Sequence, residues 1–216
     1  TMTQYGFHFD GKRCTGCKTC VLACKDNKDL SAEISFRKVY EYGGGTWSQS
    51  DGLWSNDAFG YYVSVACNHC DSPACMAKCP QGAISKDPDT GIVNNDPEKC
   101  IGCGTCAIAC PYSAPKVDEE KKKAVRCNGC AERVAAGEKP VCVEACPARA
   151  LDFGPVGEMK KLGERAAIAP LPRPEATVPN LFVKPSADAR PAESKDGVVA
   201  NLLEVGFRAT DKEIME

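Results

Sequence analysis

The sequence predicts an α+β fold made of two cysteine-rich modules, one nested in the other, with an extended C-terminal arm. Three observations carry that expectation. Sixteen cysteines fall into four groups of four with none left over. Short alternating stretches that read as strands precede and separate the groups. The chain after Cys146 carries no cysteine and is dense in proline.

At 216 residues the chain has room for one domain or two small ones. Nineteen glycines, fifteen prolines and only 7% aromatic residues favour a loop-rich architecture. A formal charge of −2 without a basic stripe gives no footing for nucleic-acid binding. No run approaches the ~18 apolar residues that a membrane span needs, so any membrane contact is expected through a partner. The opening "TMTQYGFHFD" has neither a basic region followed by an apolar stretch nor a twin-arginine pair. Thr1 suits removal of an initiator methionine, so no export signal of the chain's own is expected.

In chain order, "YGFHFD" (Tyr5–Asp10) alternates and ends just before the first cysteine group, as a strand would. That group, "CTGCKTCVLAC", holds Cys14, Cys17, Cys20 and Cys24. Lys25 follows it where the other groups have proline, and is expected as a solvated surface charge. "EISFRKVYEY" (Glu33–Tyr42) and "YYVSVA" (Tyr61–Ala66) read as strands. Between them "GGGTWSQSDGLWSND" reads as a turn-rich insertion whose Trp47 and Trp54 cap a local core.

The second group is Cys67, Cys70, Cys75 and Cys79. "GAISKDPDTGIVNND" (Gly82–Asp96) then reads as a hairpin turning at Asp89–Gly91. The third group, "CIGCGTCAIACP", holds Cys100, Cys103, Cys106 and Cys110. Lys121–Lys123 reads as a solvated loop. In the fourth group, Cys127, Cys130, Cys142 and Cys146, the second gap "AERVAAGEKPV" suggests one or two helical turns and a glycine loop. From Pro170 to Pro191 six prolines fall in 22 residues, which favours extended backbone without a core of its own. Its Leu171, Leu181, Phe182 and Val183 are expected to lie on another subunit.

A disulfide framework does not suit these cysteines, because neighbouring loops spaced C-x2-C-x2-C cannot all reach separate partners. Structural zinc pairs two separated C-x2-C knuckles and has no use for a third cysteine. The run C-x2-C-x2-C-x3-C-P is instead a bacterial ferredoxin signature for 4Fe–4S clusters, and its fourth cysteine serves the other cluster of a pair. Cys110 is therefore not expected to bind with Cys100, Cys103 and Cys106. Pro80, Pro111 and Pro147 fix the turn after three of the exported cysteines.

Four groups that each export one cysteine give four 4Fe–4S clusters in two pairs. Nested by chain order, cluster 1 takes Cys14, Cys17, Cys20 and Cys146, and cluster 2 takes Cys127, Cys130, Cys142 and Cys24. Cluster 3 takes Cys67, Cys70, Cys75 and Cys110, and cluster 4 takes Cys100, Cys103, Cys106 and Cys79. Pairing in simple succession stays open on spacing alone. Residues 1–32 and 120–155 then form an outer ferredoxin-like module, 33–119 an inserted inner one, and 156–216 the arm. A Rieske centre needs two histidines on one iron, and His8 lies outside any such motif, so His69 is not read as a ligand. Gly16, Gly102, Gly104 and Gly129 let backbone amides approach sulfur. With every iron held by thiolate no position is left for substrate, so the clusters carry electrons and the chain is not an enzyme. A colourless zinc protein and a freely diffusing polyferredoxin are the competing classes.

The four groups in this order, the stretch "EISFRKVYEY", the loop "CIGCGTCAIACPY" and the tail "APLPRPEATVPNLFVKP" resemble the iron–sulfur subunits of dimethyl sulfoxide reductase. The resemblance runs to about Val205, and the ending "FRATDKEIME" matches nothing. Iron–sulfur subunits of polysulfide, tetrathionate, nitrate and formate enzymes share only the cluster motifs. The resemblance implies a catalytic partner with a bis-pterin molybdenum cofactor and an integral membrane partner that oxidises menaquinol. It implies electron entry at the cluster of Cys79, Cys100, Cys103 and Cys106, and exit at that of Cys14, Cys17, Cys20 and Cys146. Some relatives replace one cysteine of the third group by an aromatic residue, whereas Cys103 is present here. By the same resemblance the chain is peripheral, held at the membrane by a partner, and exported to the periplasmic side with its catalytic subunit.

Overall fold

The computed structural model describes residues 3–206; Thr1, Met2 and the ending Phe207–Glu216 lie outside the described residues. Strand β1 (Tyr5–Asp10) forms where the alternating stretch was expected, and helix α1 (Thr19–Asn27) carries the end of the first cysteine group. Strands β2 (Lys38–Gly44), β3 (Trp47–Ser50), β4 (Leu53–Asn56) and β5 (Phe59–Val65) precede the short helix α2 (Ala74–Ala77). Strands β6 (Ile84–Lys86) and β7 (Val93–Asn95) make the expected hairpin. Helix α3 (Thr105–Ala109), hairpin β8 (Lys116–Asp118) and β9 (Lys123–Val125), and helices α4 (Ala131–Ala135) and α5 (Val141–Glu144) complete the cysteine-bearing part. The rest comprises β10 (Leu151–Pro155), α6 (Val156–Leu162), β11 (Glu164–Arg165), β12 (Leu181–Lys184), β13 (Gly197–Val199) and α7 (Leu202–Val205).

Strand β1 organises the main sheet, whose order is β10-β1-β12-β11. It runs antiparallel to β10, setting Phe7 opposite Phe153 and Phe9 opposite Leu151. On its other edge it runs parallel to β12, setting Phe7 opposite Leu181 and Phe9 opposite Val183. Phe7, Phe9, Leu181 and Phe182 are all buried, and the Phe7 and Phe153 rings meet at 4.7 Å. A second sheet, β13-β2-β5, buries Tyr42, Tyr61, Val63 and Val65. Across the cysteine loops α1 packs on α5, and α2 packs on α3. Among the described residues no helix is long and apolar enough to cross a membrane.

Five expectations are corrected. The stretch Glu33–Tyr42 is strand only from Lys38 onward. Just before it, Lys25 Nζ donates to the carbonyls of Ser31, Ala32 and Ile34 at 2.8, 2.9 and 2.7 Å. The same bonds replace the solvated role expected of Lys25. Trp47 and Trp54 cap no core; they stand on the β3–β4 hairpin with 67% and 65% of their surface exposed. Lys123 is not loop but strand, and its Nζ donates to the Cys100 carbonyl at 2.6 Å.

The fifth correction concerns the tail. Leu171, Leu181, Phe182 and Val183 are buried within this chain rather than left for another subunit. Prolines do not forbid a strand where the sequence between them is apolar, and Leu181–Lys184 lies between Pro179 and Pro185. Two tyrosines fasten the remainder. Tyr61 Oη donates to the Ala169 carbonyl at 2.8 Å, and Tyr42 Oη donates to that of Ser194 at 3.0 Å.

Candidate iron–sulfur centres

The two near-identical phrases fold alike. Each begins with a loop carrying two glycine or lysine residues in the left-handed region, then enters a helix at a threonine. Gly16 (φ +69°) and Gly102 (φ +70°) occupy matching places. A Cβ on Gly16 would lie 2.3 Å from the Tyr62 ring, and one on Gly102 would lie 2.2 Å from the Lys122 carbonyl oxygen. Only glycine fits there, for space as well as for φ.

Cys14, Cys17, Cys20 and Cys146 line one cavity, with Phe9 and Ser64. Cys67, Cys70, Cys75 and Cys110 line a second, with Tyr112 and Arg126. Cys79, Cys100, Cys103 and Cys106 line a third, with Ile84 and Ala124. In the fourth set the charge on Cys24 is felt with those of Cys127, Cys142 and Cys130. Cys110 thus faces the second group rather than its own loop, and Cys79 faces the third. A wider cleft lined by His8, Asp10, Lys139, Asp152 and Lys184 contains no cysteine. Its charges answer one another, Lys139 with Asp152 at 2.7 Å and Lys184 with Asp10 at 3.6 Å.

The short helices explain how loops exchange cysteines. Cys20 and Cys24 both ride on α1, one helical turn and about 6 Å of axial rise apart. Cys142 on α5 stands four residues before Cys146, Cys75 on α2 four before Cys79, and Cys106 on α3 four before Cys110. Each helix therefore begins at one set of sulfurs and delivers its last cysteine to another.

The surroundings suit thiolate bound to iron. Backbone N–H groups of Ala83, Ala124 and Ala150 donate to Cys79, Cys100 and Cys146 Sγ at 3.3 Å each, and Gly129 N–H donates to Cys127 Sγ at 3.4 Å. Such donors stabilise negative sulfur. Burial pushes the free thiol of Cys14 up to about 11 and those of Cys24 and Cys70 up to about 12. Buried thiols of that kind need a cation to hold them deprotonated, which iron would supply. Two exposed sulfurs behave in the opposite sense. The Thr19 hydroxyl, 3.4 Å from Cys17 Sγ, and the Thr105 hydroxyl, 3.3 Å from Cys103 Sγ, draw those thiols below the ordinary value. Of the sixteen cysteines only Cys17 and Cys103 are exposed.

Sequence reasoning missed two arginines. Arg37 and Arg126 are buried, with 1% and 5% of their surface exposed. Burial opposes the charge of Arg37, yet the sulfurs of Cys142, Cys20, Cys127 and Cys24 outweigh it and hold the guanidinium above its usual pKa. Burial opposes that of Arg126 too, and Cys67, Cys75 and Cys106 outweigh it. Neither arginine falls in a cysteine phrase, so no spacing singled them out. His69 is buried and structural in its contacts: Nδ1 accepts the Val93 N–H at 3.0 Å, and its carbonyl accepts Asn180 Nδ2 at 2.9 Å.

Comparison with known proteins gives two family matches, a 4Fe-4S dicluster domain over residues 58–156 and a 4Fe-4S binding domain over residues 12–30. The B subunit of anaerobic dimethyl sulfoxide reductase from Escherichia coli (strain K12) is 55% identical, over 94% of this chain and 99% of that one. The corresponding B subunit from Haemophilus influenzae is 53% identical, over 94% and 100%. The thiosulfate reductase electron transfer subunit PhsB of Salmonella typhi is 38% identical, over 72% and 78%. With that identity running nearly end to end, this protein belongs to the family of dimethyl sulfoxide reductase B subunits, whose members are iron–sulfur electron-transfer subunits and not catalytic ones.

Proposed function

We propose that this chain holds four 4Fe–4S clusters in two nested pairs. It relays electrons from a membrane subunit that oxidises quinol to a molybdenum subunit that reduces dimethyl sulfoxide or a similar S- or N-oxide. The ligands are Cys14, Cys17, Cys20 and Cys146; Cys24, Cys127, Cys130 and Cys142; Cys67, Cys70, Cys75 and Cys110; and Cys79, Cys100, Cys103 and Cys106. When bound, each cluster supplies a one-electron redox centre. Residues 1–32 and 120–155 make the outer module and 33–119 the inner one. The bonding of β1 to β10 and the packing of α1 on α5, across the inserted residues, support that nesting.

The reading is supported by neighbour links that join the four sets in succession, with one exposed cysteine in the first set and one in the last. Helices α1 and α5 join the Cys14 set to the Cys127 set, since each carries or leads to a cysteine of both. Arg126 faces the Cys67 set while its sequence neighbour Cys127 belongs to the next. Helices α2 and α3 join the Cys67 set to the Cys100 set. Cys17 ends the row on one side and Cys103 on the other, and these are the two cysteines that stand exposed. A row with two exposed ends suits a chain clasped between a donor and an acceptor.

The Cys103 end is the proposed entry, facing the membrane subunit, where Ile101 and Ile108 present apolar surface beside it. The Cys17 end is the proposed exit, facing the molybdenum subunit. The chain is peripheral, held at the membrane by its partner, and travels to the periplasmic side with the catalytic subunit.

Single substitutions in the whole complex test the direction. Cys103→Ser should stop quinol from bleaching the iron–sulfur absorbance. Cys17→Ser should leave that bleaching intact but stop dimethyl sulfoxide from restoring the colour. The opposite pattern would reverse entry and exit.

A further inference from the structure

We infer that Arg37 and Arg126 are fixed counter-charges, one guanidinium for each pair of sulfur sets, and that each raises the reduction potential of the two clusters it faces. The inference rests on the proposed four-cluster reading and assigns a role to residues that no cysteine motif contains.

A guanidinium removed from water needs partners for its charge and for five N–H donors. Arg37 Nη1 donates to Ser64 Oγ at 3.1 Å, and that oxygen lies 3.5 Å from Cys20 Sγ. The face of Arg37 rests on the Phe7 ring at 4.6 Å. Arg126 Nη1 donates to Cys75 Sγ at 3.4 Å. Nε and Nη2 of both arginines are buried without an acceptor among the described residues. The negative groups that favour their charge are cysteine sulfurs. Two arginines buried in this way are understandable only where a large negative charge lies beside them.

The sulfurs concerned divide by pair. Arg37 reaches Cys20 of the Cys14 set through Ser64, and the sulfurs of Cys24, Cys127 and Cys142 of the companion set also favour its charge. Arg126 lines the cavity of Cys67 and Cys75 and bonds Cys75 Sγ, and the sulfur of Cys106 in the other set also favours its charge. Each guanidinium therefore stands against both members of a pair. The two reach these places from unrelated sequence positions, Arg37 in the turn before β2 and Arg126 directly after β9. Duplication of a cysteine phrase does not account for that coincidence, whereas a shared electrostatic demand does.

The demand follows from charge. A 4Fe–4S core with four thiolates is formally about −2 when oxidised, and reduction adds one more negative charge. A buried cation that cannot lose its proton favours the reduced form and raises the potential. Close to two cubanes at once, one arginine shifts both and eases the crowding of negative charge within the pair.

The test is an EPR-monitored redox titration of the intact complex, with iron counted in every preparation. Four signals and about sixteen irons in the unaltered chain establish the four-cluster reading separately. Arg37→Gln should then lower the midpoints of the Cys14 and Cys127 sets at least tenfold in reduction equilibrium, about 59 mV for a one-electron couple. The other two sets should stay where they are. Arg126→Gln should give the mirror result, and Arg37→Lys and Arg126→Lys, which keep the charge, should restore most of the shift. Full iron with unmoved midpoints, or a uniform shift of all four signals, would overturn the inference. Should a glutamine variant lose the clusters of its own pair, the lysine variant decides. Iron and midpoints retained uphold the charge role; loss in both variants makes the role one of shape and overturns it.

Discussion

Cys110 stands four residues after Cys106 in one phrase, yet it lines the cavity of Cys67, Cys70 and Cys75. Cys110→Ser should therefore damage the cluster of that set and leave the one held by the Cys100 loop. Redox-titrated EPR separates the two, and loss of the Cys100-loop signal would sink the ligand exchange. These cysteines were legible because their spacing repeats; Arg37 was not, because its neighbours in space come from β1, α1, β5 and the fourth cysteine group, far apart in sequence. His8 offers a pH test away from the sulfurs. Burial, the largest influence, pulls its pKa below 6.5 despite Asp10 and Asp152 nearby. The unfolded chain then binds the proton more readily, so stability is full above about 6.5 and declines as pH falls toward the folded value. A His8→Gln chain should lose that decline in the midpoint of thermal bleaching, and an unchanged pH profile would argue against it.

Among the elements, the alternating stretches "YGFHFD" and "YYVSVA" were readable as strands because one face of each is core. The tail was misread. Proline content says how stiff a segment is, not what it lies on, and β12 finds its partner β1 more than 170 residues away along the chain. The consequence is measurable. Phe182→Ala, which empties a buried ring site, should cost roughly 3–5 kcal/mol and lower the bleaching temperature of the isolated chain. An arm reserved for another subunit would leave that temperature unmoved. The β3–β4 hairpin predicts the converse. Trp47→Ser with Trp54→Ser removes mostly exposed surface and should change stability by less than about 0.5 kcal/mol each.

Over the whole molecule, four short helices deliver cysteines between neighbouring loops, and the sheet around β1 ties Tyr5–Asp10 to strands between Leu151 and Lys184. The sequence alone left two pairings open, nested and successive. The structure brings Cys79 to the Cys100 loop and Cys146 to the Cys14 loop. The proposed relay needs both ends of the row engaged at once, so its direct test is an anaerobic affinity pull-down of the tagged native protein. Iron, molybdenum and co-purifying subunits are then measured together. The relay predicts stoichiometric molybdenum, a membrane subunit, and about sixteen cluster irons per copy of this chain besides any in its partner. Iron without molybdenum or a stable partner would contradict it and leave a freely diffusing polyferredoxin.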